Sequence, residues 1–191
     1  INPYGQSKLM VENMLQDICS ANDFNATCLR YFNAAGAHKS GEIGEAHDPE
    51  THLIPNVLKA ALSNESSLKV FGDDYPTPDG TCVRDYVHVI DLAQAHLLGL
   101  EYMQNNKGFS AFNLGNGDGF SVLEVIKGCE KIADTKISFQ IDGRREGDPA
   151  SLVADSRNAK ELLGWYGQFG YLDKIVSTAL SWHKRQLVNN S

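Results

Sequence analysis

Tyr4 and Lys8 lie four residues apart in NPYGQSK, the stretch at positions 2–8. Proline suits the first turn of a helix, and apolar residues recur at helical spacing from Leu9 to Ile18, so a helix is predicted to begin at Pro3. One helical turn then places the phenol and the ammonium on the same face. An exposed pair on a solvated face would have the same spacing. The 7 tyrosines and 11 lysines also produce Y-x-x-x-K by chance in roughly two such sequences of five.

Two other segments carry residues that suit phosphate binding. RREGD at positions 144–148 places two arginines and an aspartate among flexible residues. Guanidinium groups can hold a phosphate there, and the acid can orient a guanidinium or a ribose hydroxyl. Arg84 lies on a predicted strand, where an arginine is costly unless it is paired, so a surface pair with Asp85 is the alternative. Arg84 and Arg145 facing one pocket would suit a diphosphate.

Glycines at 115, 117 and 119 lie between a predicted strand and a predicted helix. A dinucleotide-binding turn requires G-x-G-x-x-G, but position 120 is phenylalanine, so the spacing fails. We expect a tight turn that lets the backbone approach another group closely.

Composition excludes several classes of protein. The net charge is −7 without a long run of either sign, which disfavours a nucleic-acid platform and a membrane-surface binder. No apolar stretch approaches 18 residues, and the chain does not begin with a signal peptide. The four cysteines are scattered and form no C-x-x-C pair, as expected in the reducing cytoplasm. The six histidines form no H-E-x-x-H motif or close Cys/His cluster, so no metal site is predicted.

Helices and strands alternate along the chain, and this order predicts an α/β fold. Helices are predicted from Pro3 to about residue 20, and over 53–63, 90–104, 121–133, 156–163 and 171–187. Strands are predicted over 26–32, 67–71, 82–89, 111–114 and 136–142. Segment 33–52 is rich in glycine and histidine, and a loop of that length tends to carry function.

Six motifs in this order resemble the UDP-glucose 4-epimerases of the extended short-chain dehydrogenase/reductase family, over residues 1 to about 187. They are NPYGQSKLMVE, LRYFNAAGAH, THLIP, VFGDDYPTPDGTCVRDYVHVIDLA, FNLGNG and RREGDPA. The resemblance implies the C-terminal part of a Rossmann-type NAD-binding domain plus a smaller mixed α/β substrate-binding lobe. Residues 1–33 and about 83–118 would belong to the former, and about 34–82 and 119–191 to the latter.

The resemblance also implies a mechanism. NAD would accept a hydride from C4 of the UDP-sugar while Tyr4 removes the 4-hydroxyl proton, and the hydride would return to the other face of the 4-keto sugar. The Lys8 ammonium and the positive nicotinamide would favour the phenolate of Tyr4. Cofactor contacts would fall to Tyr4, Lys8, Tyr31 and Phe32. UDP-sugar contacts would fall to Tyr31, Phe32, Asn33, Thr51, His52, Leu53, Lys69, Val70, Phe71, Arg84, Val122, Arg145, Glu146, Gly147, Asp148 and Leu152.

The chain departs from the family pattern in some places. His52 stands where an asparagine is common, and Leu152, intermediate in size, implies UDP-glucose and UDP-galactose as main substrates with some tolerance of N-acetyl sugars. The strand with its G-x-x-G-x-x-G turn and the serine or threonine that precede the tyrosine in the family are not found. We therefore expect a C-terminal portion that is inactive alone and belongs to a homodimer when joined to its N-terminal half.

Two alternatives stay open from the sequence. One is another nucleotide-sugar enzyme of the same family, such as a 4,6-dehydratase or a decarboxylase. Those enzymes usually have Y-G-P where this chain has NAAGAH. The other is a non-catalytic fragment that binds UDP-sugars.

Overall fold

The computed structural model describes residues 3–63 and 68–189. Six helices lie in this part of the chain: α1 (Pro3–Ala21), α2 (Leu53–Leu62), α3 (Val89–Asn105), α4 (Val122–Ala133), α5 (Arg157–Leu163) and α6 (Leu172–Asn189). The strands described are β1 (Ala26–Tyr31), β2 (Asn33–Ala35), β3 (Leu68–Phe71), β4 (Val83–Arg84), β5 (Tyr86–His88), β6 (Phe109–Leu114), β7 (Phe120–Ser121), β8 (Phe139–Asp142) and β9 (Ser151–Leu152).

Most strand pairs are parallel. β1 pairs with β6, β2 with β5, β3 with β8, and β4 with β9, all in parallel, whereas β7 runs antiparallel to β4. This arrangement confirms the predicted α/β fold. The sequence missed the short strands β2, β7 and β9, because two or three residues carry too little periodicity to be recognised. Residue 67, at the start of one predicted strand, lies outside the described residues.

The predicted helix ends are set by local interactions. Ser121 caps α4: its hydroxyl accepts from the Glu124 amide, and the Glu124 carboxylate accepts from the Ser121 amide, as the capping box predicts. Gly164 follows α5 with a φ of 64°, which glycine adopts without strain. Both ends could be predicted because they depend only on neighbours in sequence.

Two clusters of buried side chains form the core. The larger lies between α2, α4 and α6 and the strands β3 and β5. The smaller joins α3 and β6 to α5 and Trp165. Helix α5 therefore packs across the domain boundary predicted near residue 119. The division into two units stays a prediction.

Helix α1 lies on β1 and β6 and buries none of its described residues. Glu12 and Arg30 form a bidentate ion pair that joins the helix to β1. Several apolar side chains of α1 stay exposed, among them Met10 at 61% and Met14 at 62%. Within the described chain, no helix combines the length and apolar character needed to span a membrane.

The predicted strand over 82–89 is interrupted at Asp85, which is fully buried. Its carboxylate accepts hydrogen bonds from the backbone amides of Asn116 (2.9 Å), Gly117 (3.1 Å) and Ala154 (3.1 Å). Its backbone oxygen accepts from the amide and the side chain of Asn33. Asp85 thus connects β2, the turn after β6 and the segment after β9.

We expect Asp85→Asn to lower the free energy of unfolding by about 2–4 kcal/mol. The amide nitrogen of the new side chain cannot accept from backbone amides, so at least one buried donor loses its partner. Urea denaturation of the variant measures the effect. Asp17→Asn, at an exposed position of α1, is the matched control and should leave stability unchanged. Equal stability of both variants would contradict the role assigned to Asp85.

His88 should make stability depend on pH. Burial lowers the pKa of this imidazole below its ordinary value of 6.5, against an opposing effect of the Asp91 carboxylate. The unfolded chain therefore binds the proton first as the pH falls through about 6.5, so the stability present above that pH is lost below it. Thermal unfolding between pH 7.5 and 5.5 should show a decreasing melting temperature.

His88→Asn separates titration from structure. His88 Nδ1 accepts from the Ile90 amide at the start of α3, and an asparagine oxygen can replace it. We expect lower overall stability, because the contact with Thr178 is lost, but a smaller dependence on pH. His38→Asn, at a half-buried loop position, should keep the full pH dependence. An unchanged dependence in His88→Asn would show that other groups cause it.

Candidate active site

A cleft of about 610 Å³ lies between the start of α2, strand β3 and the junction of β4 and β5. Eleven of the residues predicted to bind UDP-sugar line it: Asn33, Thr51, His52, Leu53, Lys69, Val70, Phe71, Arg84, Val122, Arg145 and Asp148. These residues come from six separate segments of the chain. The structure therefore brings together most of the predicted sugar-nucleotide positions.

Arg84 holds one wall of the cleft in place. Its guanidinium donates to the backbone oxygens of Val83 (2.8 Å) and Pro149 (2.9 Å) and lies 3.4 Å from a carboxylate oxygen of Asp148. Only 16% of its side chain is exposed. The alternative of a surface pair with Asp85 is wrong, because the Asp85 carboxylate binds backbone amides elsewhere.

The two neighbouring arginines of the 144–148 loop have different surroundings. The Arg145 guanidinium lies 3.9 Å from the centre of the Phe71 ring, at the cleft wall. Arg144 instead donates to the Asp74 carboxylate (2.6 Å) and lies 4.2 Å from the centre of the Tyr75 ring. Arg145 and Arg84 thus give the cleft two cationic groups, as a diphosphate site requires.

Other predicted site residues lie outside the described cleft wall. Glu146 and Gly147 are exposed on the loop, and Leu152 on β9 is the register partner of Arg84. Tyr31 and Phe32 at the end of β1, and Tyr4 and Lys8 on α1, also lie outside the cleft wall.

Tyr4 and Lys8 have the geometry that the four-residue spacing predicts. The Lys8 ammonium nitrogen lies 5.2 Å from the centre of the Tyr4 ring, one helical turn away. Tyr4 is 71% exposed. The pair therefore lies on an open surface of the described chain, accessible to groups that approach from outside it.

Sequence reasoning missed several residues of the cleft wall. Asn56 and Lys59 lie one and two turns beyond His52 on α2, and this helical spacing could have indicated them. Cys82 and Tyr86 flank Arg84 at alternate strand positions. Burial raises the pKa of the Tyr86 phenol, so that group stays protonated and cannot act as a base at neutral pH.

The glycine turn at 115–119 has the close approach that we predicted. A Cβ on Gly115 would lie 2.3 Å from an Asp85 carboxylate oxygen, and the Gly117 amide donates to that carboxylate. A second run, GWYGQFG at 164–170, has the spacing G-x-x-G-x-x-G but follows α5 instead of a strand. Its amides at Gln168 and Phe169 donate to the Asp91 carboxylate at 2.9 Å. Both turns thus bind a carboxylate of this chain.

Four acidic and histidine side chains meet in the loop before α2. One ligand atom from each of Glu45, His47, Glu50 and His52 lies within 4.8 Å of the others. The prediction of no metal site considered only Cys/His clusters and H-E-x-x-H, and so missed the pattern E-x-H-x-x-E-x-H. His52 belongs to both this cluster and the cleft wall.

Comparisons with known proteins identify relatives of this chain in sequence and in fold. The chain is 50% identical over 96% of its length to the UDP-glucose 4-epimerase of Halalkalibacterium halodurans, of which it covers 55%. The UDP-glucose 4-epimerase of Brucella ovis, in complex with NAD, superposes with a TM-score of 0.89 at 47% identity, covering 94% of this chain and 55% of that one. The UDP-glucose 4-epimerase of Bifidobacterium longum, in complex with NAD⁺ and UDP, superposes with a TM-score of 0.91 at 42% identity. The match covers 97% of this chain and 56% of that one.

The chain spans about half the length of the curated relatives it matches. The family model described as "NAD dependent epimerase/dehydratase family" matches residues 1–115, which include α1 and the cleft residues up to Tyr86 and end at the first glycine of the 115–119 turn. Together with the identity to relatives over nearly the whole chain, this match makes the chain a member of the NAD dependent epimerase/dehydratase family.

Proposed function

We propose that this chain supplies the UDP-sugar cleft and the catalytic Tyr4–Lys8 pair of a UDP-glucose 4-epimerase. The complete enzyme interconverts UDP-glucose and UDP-galactose through a 4-keto intermediate, with NAD as cofactor, in the cytoplasm. The observation that carries the proposal is the cleft with Arg84 and Arg145 in its wall, in a chain 50% identical to such an epimerase. That the chain is the C-terminal portion of the enzyme stays a prediction.

Binding energy would come mainly from the nucleotide. Arg84 and Arg145 offer guanidinium groups to the diphosphate, and Phe71 and Val122 offer apolar surface beside them. Arg84 is already oriented by two backbone oxygens and Asp148, so little side-chain freedom is lost when a ligand binds. Such contacts act equally on substrate and transition state, and they set KM more than kcat.

Proton transfer would fall to Tyr4. Its phenol would have to lose a proton to act as a base, and the Lys8 ammonium lies one helical turn away, 5.2 Å from the ring centre. A bound NAD would supply the hydride acceptor for C4 of the sugar. Tyr4 would accept the proton of the 4-hydroxyl when the sugar is oxidised and would return it when the 4-keto sugar is reduced.

The residues of this chain fit only part of NAD. The exposed surface around Tyr4 and Lys8 is open to a nicotinamide ribose. The backbone amides of the glycine turns at 115–119 and 164–170 bind Asp85 and Asp91, so they do not offer a pyrophosphate site. The pyrophosphate contacts would therefore come from the remaining half of the enzyme.

Helix α1 would also contribute to assembly. Its exposed apolar side chains Met10, Val11 and Met14 are each more than half exposed. Apolar surface of this extent on one helix is typical of an interface. We propose that the face packs against the rest of the NAD domain and a second copy in a homodimer.

A second candidate function has one observation in its favour. The described residues form the cleft without further chain, whereas Tyr4 lies exposed and outside its wall. The chain by itself is then a non-catalytic UDP-sugar-binding unit. No specific observation favours a 4,6-dehydratase or a decarboxylase.

Substitutions in the complete enzyme test the assignment of roles. Tyr4→Phe should lower kcat by about 10²–10⁴-fold with little change in UDP affinity, because only the reacting proton loses its acceptor. Arg145→Ala should raise KM about 10-fold or more, because a charged hydrogen-bond donor to the diphosphate is lost. Steady-state kinetics and calorimetric titration with UDP measure both effects.

The chain offers matched controls for each substitution. Tyr166→Phe changes a tyrosine that is 62% exposed, and Arg144→Ala removes the neighbouring arginine that binds Asp74. Both controls should behave like the unmodified enzyme. Loss of UDP binding in Tyr4→Phe, or an equal rise of KM in Arg144→Ala, would contradict the proposed roles.

The 191-residue chain alone should bind UDP but neither retain NAD nor turn over UDP-galactose. The pyrophosphate contacts that supply much of dinucleotide affinity are not offered by its glycine turns. Acid release of NAD from purified protein, a coupled epimerase assay and UDP calorimetry on a chain of verified mass measure the three properties. Stoichiometric NAD or measurable turnover would overturn this prediction.

A further inference from the structure

The loop that precedes α2 gathers two carboxylates and two imidazoles that the proposed epimerase chemistry does not use as a group. His52 Nδ1 lies 2.5 Å from Glu45 Oε1 and 3.0 Å from Glu50 Oε1. His47 Nδ1 lies 3.0 Å from the same Glu45 oxygen and 4.0 Å from Glu50 Oε2. The two imidazole rings are 5.0 Å apart between centres.

A buried oxygen within this group lacks a hydrogen-bond partner. The Glu50 side chain is only 3% exposed, and its Oε1 accepts from the backbone amides of Thr51 (2.8 Å) and His52 (2.9 Å). Among the described residues, its Oε2 has no hydrogen-bond donor and faces His47 at 4.0 Å. A buried anionic oxygen without a donor is costly, and a bound cation is one of the few groups that can satisfy it.

We propose that Glu45, His47, Glu50 and His52 bind one divalent transition-metal ion, best fitted by Zn²⁺. Two nitrogen and two oxygen donors suit four-coordinate zinc, and the imidazoles disfavour Mg²⁺ and Ca²⁺. Bonds of about 2.1 Å place tetrahedral ligand atoms about 3.4 Å apart. The imidazole nitrogens lie 2.5–4.0 Å from carboxylate oxygens, and one ligand atom from each residue lies within 4.8 Å of the others, so small side-chain rotations complete the site. Two carboxylates balance the charge of the ion.

Hydrogen bonds from the Trp182 indole and from backbone amides position these ligands. The Trp182 indole of α6 donates to the backbone oxygen of Glu45 at 2.8 Å, and a Cβ on Gly44 would meet the same ring at 2.4 Å. The amides of Thr51 and His52 orient the Glu50 carboxylate. Such supporting contacts reduce the freedom that metal ligands lose on binding. Hydrogen bonds among the four side chains alone, without a metal ion, would leave Glu50 Oε2 without a partner.

The site would lie beside the cleft, because His52 belongs to both. A metal ion bound through His52 Nδ1 would fix the ring of a residue in the cleft wall. Metal binding by these four residues does not depend on the proposed epimerase activity.

Metal titration of the full-length protein, prepared without a histidine tag and stripped with EDTA, tests the site. Calorimetric titration with Zn²⁺ should show one Zn²⁺ bound per chain in the unmodified protein. Neither His47→Gln nor Glu50→Gln should bind this ion. His38→Gln and Glu42→Gln, on the same loop but outside the cluster, should keep it. Zn²⁺ at 100 times its dissociation constant should also raise the melting temperature of the unmodified protein. Circular dichroism verifies that each variant folds.

Cobalt gives a readout that does not depend on the variants. Co²⁺ bound by the unmodified protein should show the intense visible absorption of a four-coordinate site, which Zn²⁺ then displaces. A weak octahedral spectrum, no equivalent of Zn²⁺, or the same stoichiometry in His47→Gln and Glu50→Gln as in the two controls would each overturn the proposal.

Discussion

The buried carboxylate of Asp85 is the interaction on which the cleft depends. The carboxylate accepts hydrogen bonds from backbone amides in the turn after β6 and in the segment after β9. The backbone oxygen of Asp85 accepts a hydrogen bond from the Asn33 side chain. Its neighbours Arg84 and Tyr86 both line the cleft. A charged group surrounded by fixed donors in a buried place has few alternative arrangements, so three segments distant in sequence meet in one geometry.

Polar contacts next to Asp85 position the remaining residues of the cleft wall. Arg84 binds the oxygen of Pro149 and the carboxylate of Asp148, and so draws the 144–148 loop over the cleft. Arg145 then lies against Phe71. In the loop before α2, the Glu50 carboxylate accepts hydrogen bonds from the backbone amides of Thr51 and His52 and so orients His52. The proposed binding residues lie on loops here, and fixed backbone groups position those loops.

The residues proposed for catalysis and for binding are distributed unevenly over the described chain. The cleft is enclosed by residues from 33 to 148, whereas Tyr4 and Lys8 lie on the open surface of α1. The chain covers about 55% of the length of its relatives. The nucleotide recognition that we propose can therefore be tested separately from the proposed hydride and proton transfer.

The sequence by itself determined the helices, the α/β class, the capping box at Ser121 and the four-residue spacing of Tyr4 and Lys8, because each depends on near neighbours or on period. Its motifs also indicated most of the cleft wall. Only the tertiary structure decided that Asp85 is buried away from Arg84, that Arg144 and Arg145 have different partners, and that Glu45 and Glu50 meet two histidines. These outcomes depend on which donors and acceptors become buried together, and burial is a property of the packed chain that local sequence does not contain.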